Sequence, residues 1–415
     1  LLVSSAIYVI WFQSVKRAAV RKVAQMPPTP PRDWSSKFFS AHRLQTDPLA
    51  DALVADIMSK EELPAVNHLF ALMADDTDHL AKDAPAELSA YFEQTRVLPE
   101  WADRDLIRLG QQIYIRHGVW VSLLLSYKSL PECYACAKGV EVLYRTARLN
   151  EHHGSFDAFY RRIAETAQFV LATMSPHGLS ARGGGVLAAQ KVRLIHAIIR
   201  YYLRQQGWEV EKYGEPINQE DMVGTLMAFS ALVLEGLEVV GIQLDHVEKE
   251  AYTHCWRVIG HIVGLHEELI PANNDEALAL GHAVLNDQMG TSESGQVLTR
   301  ALTEFLKDAS AGFLTEEAND HMLRLMMGGK ISDLLGVPQA GEVSIAKLKK
   351  KLQRIASVMN FFEKSIVFSL PWRICNQLLL KLMIRYMSKS RRINFYLPQS
   401  LTKDWGKRER ATVNS

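Results

Sequence analysis

Leu106–Tyr127, LIRLGQQIYIRHGVWVSLLLSY, decides how the rest of the chain is read. Its apolar residues return every three or four positions, the spacing of one face of an α-helix, and nothing in it alternates as a half-buried strand would. The same period runs through LPAVNHLFALMADD (residues 63–76) and MVGTLMAFSALVLEGLEVVG (residues 222–241). Between such stretches stand PHGLSARGGG, KYGEPINQED and IPANND, whose Pro, Gly and Asn residues punctuate helices. From about Asp47 to Asn360 the chain therefore reads as helix joined to helix. The expected fold is all-α, one large globin-like multi-helix bundle.

The composition suits such a body. Of 415 residues, 48% are hydrophobic and 22% charged, so the chain can fill a core and is no disordered polymer. A mean hydropathy of −0.06 excludes a multispan transporter. Four cysteines are too few for a disulfide scaffold. Cys133 and Cys136 form a CxxC pair, but Ala137 follows where covalent c-type haem attachment requires His, so the pair reads as structural.

A net charge of +1 conceals an asymmetry. Residues 1–32 hold five Lys or Arg and no acid, and the stretch from Lys347 to Arg410 holds sixteen against three acids. The ends are basic and the body is acidic. LLVSSAIYVIWFQSV, residues 1–15, is uncharged and is followed by Lys16, Arg17, Arg21 and Lys22. Residues 1–25 thus read as a truncated or interfacial membrane anchor with its basic flank on the cytoplasmic side. Residues 26–34, MPPTPPRDW, read as a Pro-rich linker, residues 35–346 as the all-α body, and residues 347–415 as a basic amphipathic segment. That last segment mixes Trp, Phe, Leu and Met with spaced Lys and Arg, which suits a membrane interface better than nucleic acid.

Most catalytic signatures of helical proteins are missing. No His has Glu three positions before it, which excludes a ferritin-like di-iron site. HEEL at residues 266–269 lacks the second His of a zincin, and neither a P-loop nor a G-x-S-x-G elbow occurs. The informative string is KVRLIHAIIR, residues 191–200. On a helix Arg193, His196 and Arg200 share one face, and their apolar neighbours make the segment too hydrophobic for a solvated surface. A buried imidazole flanked by two guanidiniums needs a metal or anionic partners. Haem supplies both, through iron and propionates. Carboxylates elsewhere in the acidic body would serve the arginines equally well.

In order and spacing these segments resemble the haem-dependent rubber oxygenase (latex clearing protein) family and its MpaB-like relatives of fungal secondary metabolism. SLLLSYKSLPECYACAKGVEVLYRTARL resembles the entry to that family's pocket, RRIAETAQFV its distal helix and KVRLIHAIIR its proximal haem helix. In the family a distal Arg is followed three positions later by Lys and then by Thr, with the proximal His thirty positions beyond. Here Arg162, Glu165 and Thr166 take those places, and His196 stands thirty after Thr166.

The resemblance implies haem b held by His196, with Arg193 and Arg200 nearby and Arg162, Glu165 and Thr166 on the catalytic side. It implies an oxygenase that uses O2 on a lipophilic, alkene or isoprenoid-like substrate, and the basic, amphipathic ends of the chain add membrane association, with no nucleic-acid partner. The alternative is a haem protein for electron transfer or sensing, or an accessory subunit docked on a membrane-protein partner. The departure is Glu165, a carboxylate in place of the family's Lys. Glu141 is the nearest residue for the family's catalytic Glu, and His177 lies in the loop between the two helices.

Overall fold

The computed structural model describes residues 2–26, 32–59, 86–148, 157–310, 315–364, 371, 374–379 and 382. The prolines of the expected linker at 27–31, the stretch 63–76, residues 149–156 and residues 383–415 lie outside these. The helices in order are α1 (Leu2–Val23), α2 (Ser36–His42), α3 (Pro48–Ser59), α4 (Ala86–Thr95), α5 (Arg104–Leu124), α6 (Leu130–Ala135) and α7 (Val140–Arg148). Then come α8 (Asp157–Met174), α9 (Gly184–Gln205), α10 (Val210–Tyr213), α11 (Gln219–Phe229), α12 (Ala231–Val239) and α13 (His246–Ile262). The last are α14 (Asn274–Gln288), α15 (Glu293–Ala309), α16 (Glu316–Leu334) and α17 (Glu342–Lys364). Among the described residues there is no strand, only an isolated bridge between Cys136 and Met289. The fold is all-α, as the periodicity predicts.

The opening stretch becomes the central post. Asp103 caps α5, its carboxylate accepting from the amides of Asp105 (2.9 Å) and Leu106 (3.1 Å), and one face of the helix lies along α13. Gly110 permits that approach: a Cβ there would lie 2.3 Å from the Ala251 carbonyl oxygen and 2.6 Å from the Cys255 sulfur. Beyond Leu124 the helix passes through a π-turn, Leu125–Ser129, into α6. Pro131 lacks an amide and its ring crowds the carbonyl four residues back, and the wider turn accommodates both. The turn also brings the buried Lys128 to Glu132 (2.7 Å) and Glu235 (2.9 Å).

Gln219–Val239 is long and apolar enough to cross a membrane, yet 67% of it is buried within the protein. It breaks at Ser230 (φ −107°, ψ −98°) into α11 and α12, both of which are core.

α1 departs from a free-standing anchor in its C-terminal half. Phe12, Val15 and Ala19 form a stripe buried against α5 and α13. Lys16 pairs with Asp245 and with Glu248 (3.0 Å), Lys22 with Asp103 (3.2 Å), and the Arg116 guanidinium lies 4.0 Å over the Phe12 ring. Two of the four basic residues that follow the apolar run, Lys16 and Lys22, thus meet acids of the body, while Ile10 and Trp11 stay exposed. α17 buries Leu352 and Ala356, and its opposite side is open to solvent.

Candidate functional site

α8 and α9 pack side by side, joined by a tight turn through Gly178 and Gly183. A Cβ on Gly178 would meet the Ala172 carbonyl oxygen at 2.1 Å, so the turn closes only with glycine there. His177 sits at its tip, exposed and with φ 64°, its carbonyl accepting from the Ser180 amide (2.9 Å).

α9 presents two faces. Leu194, Ala197 and Ile198 pack on Ala50, Val54, Ile57, Leu88, Tyr91 and Phe92 of α3 and α4. The polar residues of KVRLIHAIIR meet the start of α3. Arg193 grips Asp47 through Nε–Oδ2 (2.6 Å) and Nη2–Oδ1 (2.8 Å). Arg200 donates from Nε to Asp51 (2.6 Å) and from Nη1 to the Ile217 carbonyl (3.2 Å), while its buried Nη2 has no partner.

The His196 ring lies between the two guanidiniums along the helix. Its Nδ1 is sealed from solvent without a hydrogen-bond partner. Burial, with the Arg200 charge assisting and Asp47 opposing, pushes its pKa down to about 3, so the imidazole is neutral. The side chain nevertheless keeps accessible surface. Arg162 on α8, Cys133 on α6 and Asp221 on α11 share that combination.

On α8, Arg162 donates from Nη1 to the Leu143 carbonyl (3.3 Å) and to the Thr146 hydroxyl (3.2 Å). Burial lowers its pKa, and the nearby Tyr134 and Glu165 partly restore it. Thr166 is exposed, and its hydroxyl donates to the Arg162 carbonyl (2.9 Å). The structure thus brings Arg162 and Glu165 into electrostatic contact and spends the Thr166 hydroxyl on its own helix.

Glu141 is an ion-paired carboxylate, accepting from Arg145 (2.8 Å) and from the Ser294 hydroxyl (2.7 Å). Cys133 and Cys136 are free thiols, and burial pushes Cys133 up to about 12, so neither supplies a thiolate. Sequence reasoning missed Asp47 and Asp51. Asp47 carries a helix-start signal in Asp47-Pro48, but nothing local pairs it with a residue some 150 positions away.

These residues fit haem. A neutral imidazole with a spare nitrogen would serve as an iron ligand, and the unpartnered Arg200 Nη2 would hold a propionate oxygen. Arg193 is engaged by Asp47 through two hydrogen bonds and by the Ile262 carbonyl through a third, and fits less well.

The fold and these helices define an all-α domain with a desolvated imidazole on one of two paired helices. The chain belongs to the family described as ER-bound oxygenase mpaB/B'/Rubber oxygenase, catalytic domain, whose model matches residues 135–361. It is similar to the rubber oxygenase of Streptomyces sp. (strain K30), 26% identical over 374 residues, covering 85% of each chain. Among solved structures it is similar to latex clearing protein LCP in the closed state, with a TM-score of 0.62 and 23% identity over 83% of this chain and 90% of that one.

Proposed function

We propose that this chain is a haem b-dependent oxygenase that acts with O2 on a lipophilic, alkene or isoprenoid-like substrate at a membrane surface. The observation that carries the proposal is the neutral, desolvated His196 ring with an unshared Nδ1, on the helix packed against the one that bears Arg162 and Glu165. Haem, when bound, supplies the iron at which O2 is activated. His196 would hold the metal and Arg200 a propionate, while Arg193, tied to Asp47, steadies the helix. Glu165, close to the Arg162 charge, would hold or release a proton at its carboxyl group on the substrate side. Half-buried Ile163, Phe169 and Leu171 on α8, with Ile195 and Ile199 on α9, would exclude water and take an apolar chain.

The name of the Streptomyces relative supports a polyisoprene-like substrate, and the family's description as ER-bound supports membrane association. The open side of α17 is suited to the cytoplasmic leaflet. Val343, Ile355, Val358 and Phe361 are exposed there among exposed Lys347, Lys350, Lys351 and Arg354. Ile10 and Trp11 add an apolar contact from α1.

The test is a pyridine haemochrome assay on detergent-extracted protein, with oxygen uptake measured on a polyisoprene oligomer. Wild type should show one haem b per chain and H196A none. A folded, colourless wild type would overturn the proposal.

A further inference from the structure

A second cluster lies away from His196, where the end of α2 meets the segment after α13. His42, His266 and Glu268 each bring one possible ligand atom there, all within 4.8 Å of one another. His42 is buried, its ring centroid 4.2 Å from that of Phe38 with the two planes tilted by 37°, and its Nδ1 lies 2.9 Å from the Phe38 carbonyl. A carbonyl can only accept, so the ring proton is on Nδ1 and the Nε2 lone pair faces outward. Nε2 lies 2.8 Å from Glu268 Oε1, also an acceptor. Two lone pairs at that separation repel unless a proton or a bound metal ion mediates between them.

His266 repeats the arrangement. Its Nδ1 lies 3.0 Å from Gln45 Oε1, which leaves Nε2 to offer a lone pair, and Gln219 Oε1 holds its backbone amide (2.9 Å). Arg32 takes the carbonyl oxygen of Glu268 (2.8 Å) and pairs its charge with Glu276, so it leaves the Glu268 carboxylate open. A single proton would satisfy His42 and Glu268 but leave His266 without a role. A divalent cation would use all three. A carbonyl acceptor on the far nitrogen of each imidazole is the outer-shell arrangement that fixes metal-binding histidines.

We propose that His42, His266 and Glu268 form a divalent transition-metal site, zinc being the metal that two imidazoles and a carboxylate suit best. Zinc takes such ligands at about 2.0–2.2 Å, so binding would part His42 Nε2 from Glu268 Oε1 slightly and draw His266 in. Half-buried His266 and exposed Glu268 leave the remaining positions to water. The metal pins α2 to the loop beyond α13. The same junction is tied by Gln219 Nε2, which donates to the carbonyls of Thr46 (2.9 Å) and Gly264 (3.0 Å). Asp47, the partner of Arg193, follows directly, so the metal acts as a structural clamp behind α9.

The experiment uses the full chain, stripped with chelator, equilibrated with zinc chloride, dialysed and measured for bound zinc and for melting temperature. Wild type should retain one zinc per chain and melt higher with it. H266N and E268Q, at accessible positions, should bind at least 10-fold more weakly and show no rise, whereas H261N should behave as wild type. H196A should lose haem and keep zinc, which separates this site from the haem proposal. No retained zinc in wild type, or equal retention in H266N and E268Q, would overturn the assignment and leave His42 and Glu268 as an ordinary ion pair.

Discussion

Arg193 and Asp47 form a two-pronged ion pair, Nε to Oδ2 at 2.6 Å and Nη2 to Oδ1 at 2.8 Å, that fastens the helix of His196 to the start of α3. A carbonyl hydrogen bond from Arg193 to Ile262 (3.5 Å) is weak beside it. Asp47 is therefore the principal partner of a largely buried charge.

Asp47→Ala leaves that guanidinium uncompensated and should cost roughly 3–5 kcal/mol, because removing one partner of a buried pair strands the other. Urea denaturation at pH 7 measures it. Arg193→Met combined with Asp47→Leu should recover much of the loss, and a single Asp47→Ala within 1 kcal/mol of wild type would contradict the account.

Acid should weaken the fold well above the carboxylate range. Burial holds His117 and His254 at about 3. In the unfolded chain each takes up its proton near pH 6.5. The folded state thus binds fewer protons, so their stabilisation is complete above pH 6.5 and falls away as the pH drops toward 3. Each should cost roughly 2 kcal/mol between pH 6.5 and 5. Denaturant melts at pH 7, 6 and 5 should show a steep decline, with a shallower one in His254→Gln.

The crossing of α5 and α13 should tolerate nothing larger than hydrogen at residue 110. Gly110→Ala forces a Cβ onto the Ala251 carbonyl and should destabilise by about 1–3 kcal/mol, with Gly110→Val worse. Thermal or urea melts of the two variants check the order.

Membrane docking through α17 predicts dependence on lipid charge. Replacing Lys347, Lys350, Lys351 and Arg354 with Glu should abolish co-sedimentation with vesicles rich in phosphatidylserine, each charge contributing about 1 kcal/mol near an anionic surface. Binding should weaken with salt and be slight on phosphatidylcholine alone. Equal binding of the variant would remove α17 from the interface.

Local periodicity carried most of the fold into view. LIRLGQQIYIRHGVWVSLLLSY became α5 and its π-turn, and KVRLIHAIIR became the middle of α9 with His196 and both arginines on it. What stayed hidden was long-range. Arg193 and Arg200 demand anions, but only folding selects Asp47 and Asp51 from the acids of the chain. The apolar start of α1 carries the composition of an anchor, and only the meeting of Lys16 with Asp245 and Glu248 shows its second half packed on the body. The break at Ser230 inside Gln219–Val239 has no Pro or Gly to announce it.

The π-turn at Leu125–Ser129 holds one residue more than a regular coil would, and everything beyond it takes its phase from that surplus. Deleting a single residue there would restore a regular α-helical register, broken only where Pro131 lacks its amide. It would also rotate Glu132, Cys133 and Tyr134 by about 100° about the axis, away from their present neighbours. Shape in this segment is thus set by counting, and a frame of one residue separates a correctly aimed wall from a well-formed helix pointing the wrong way.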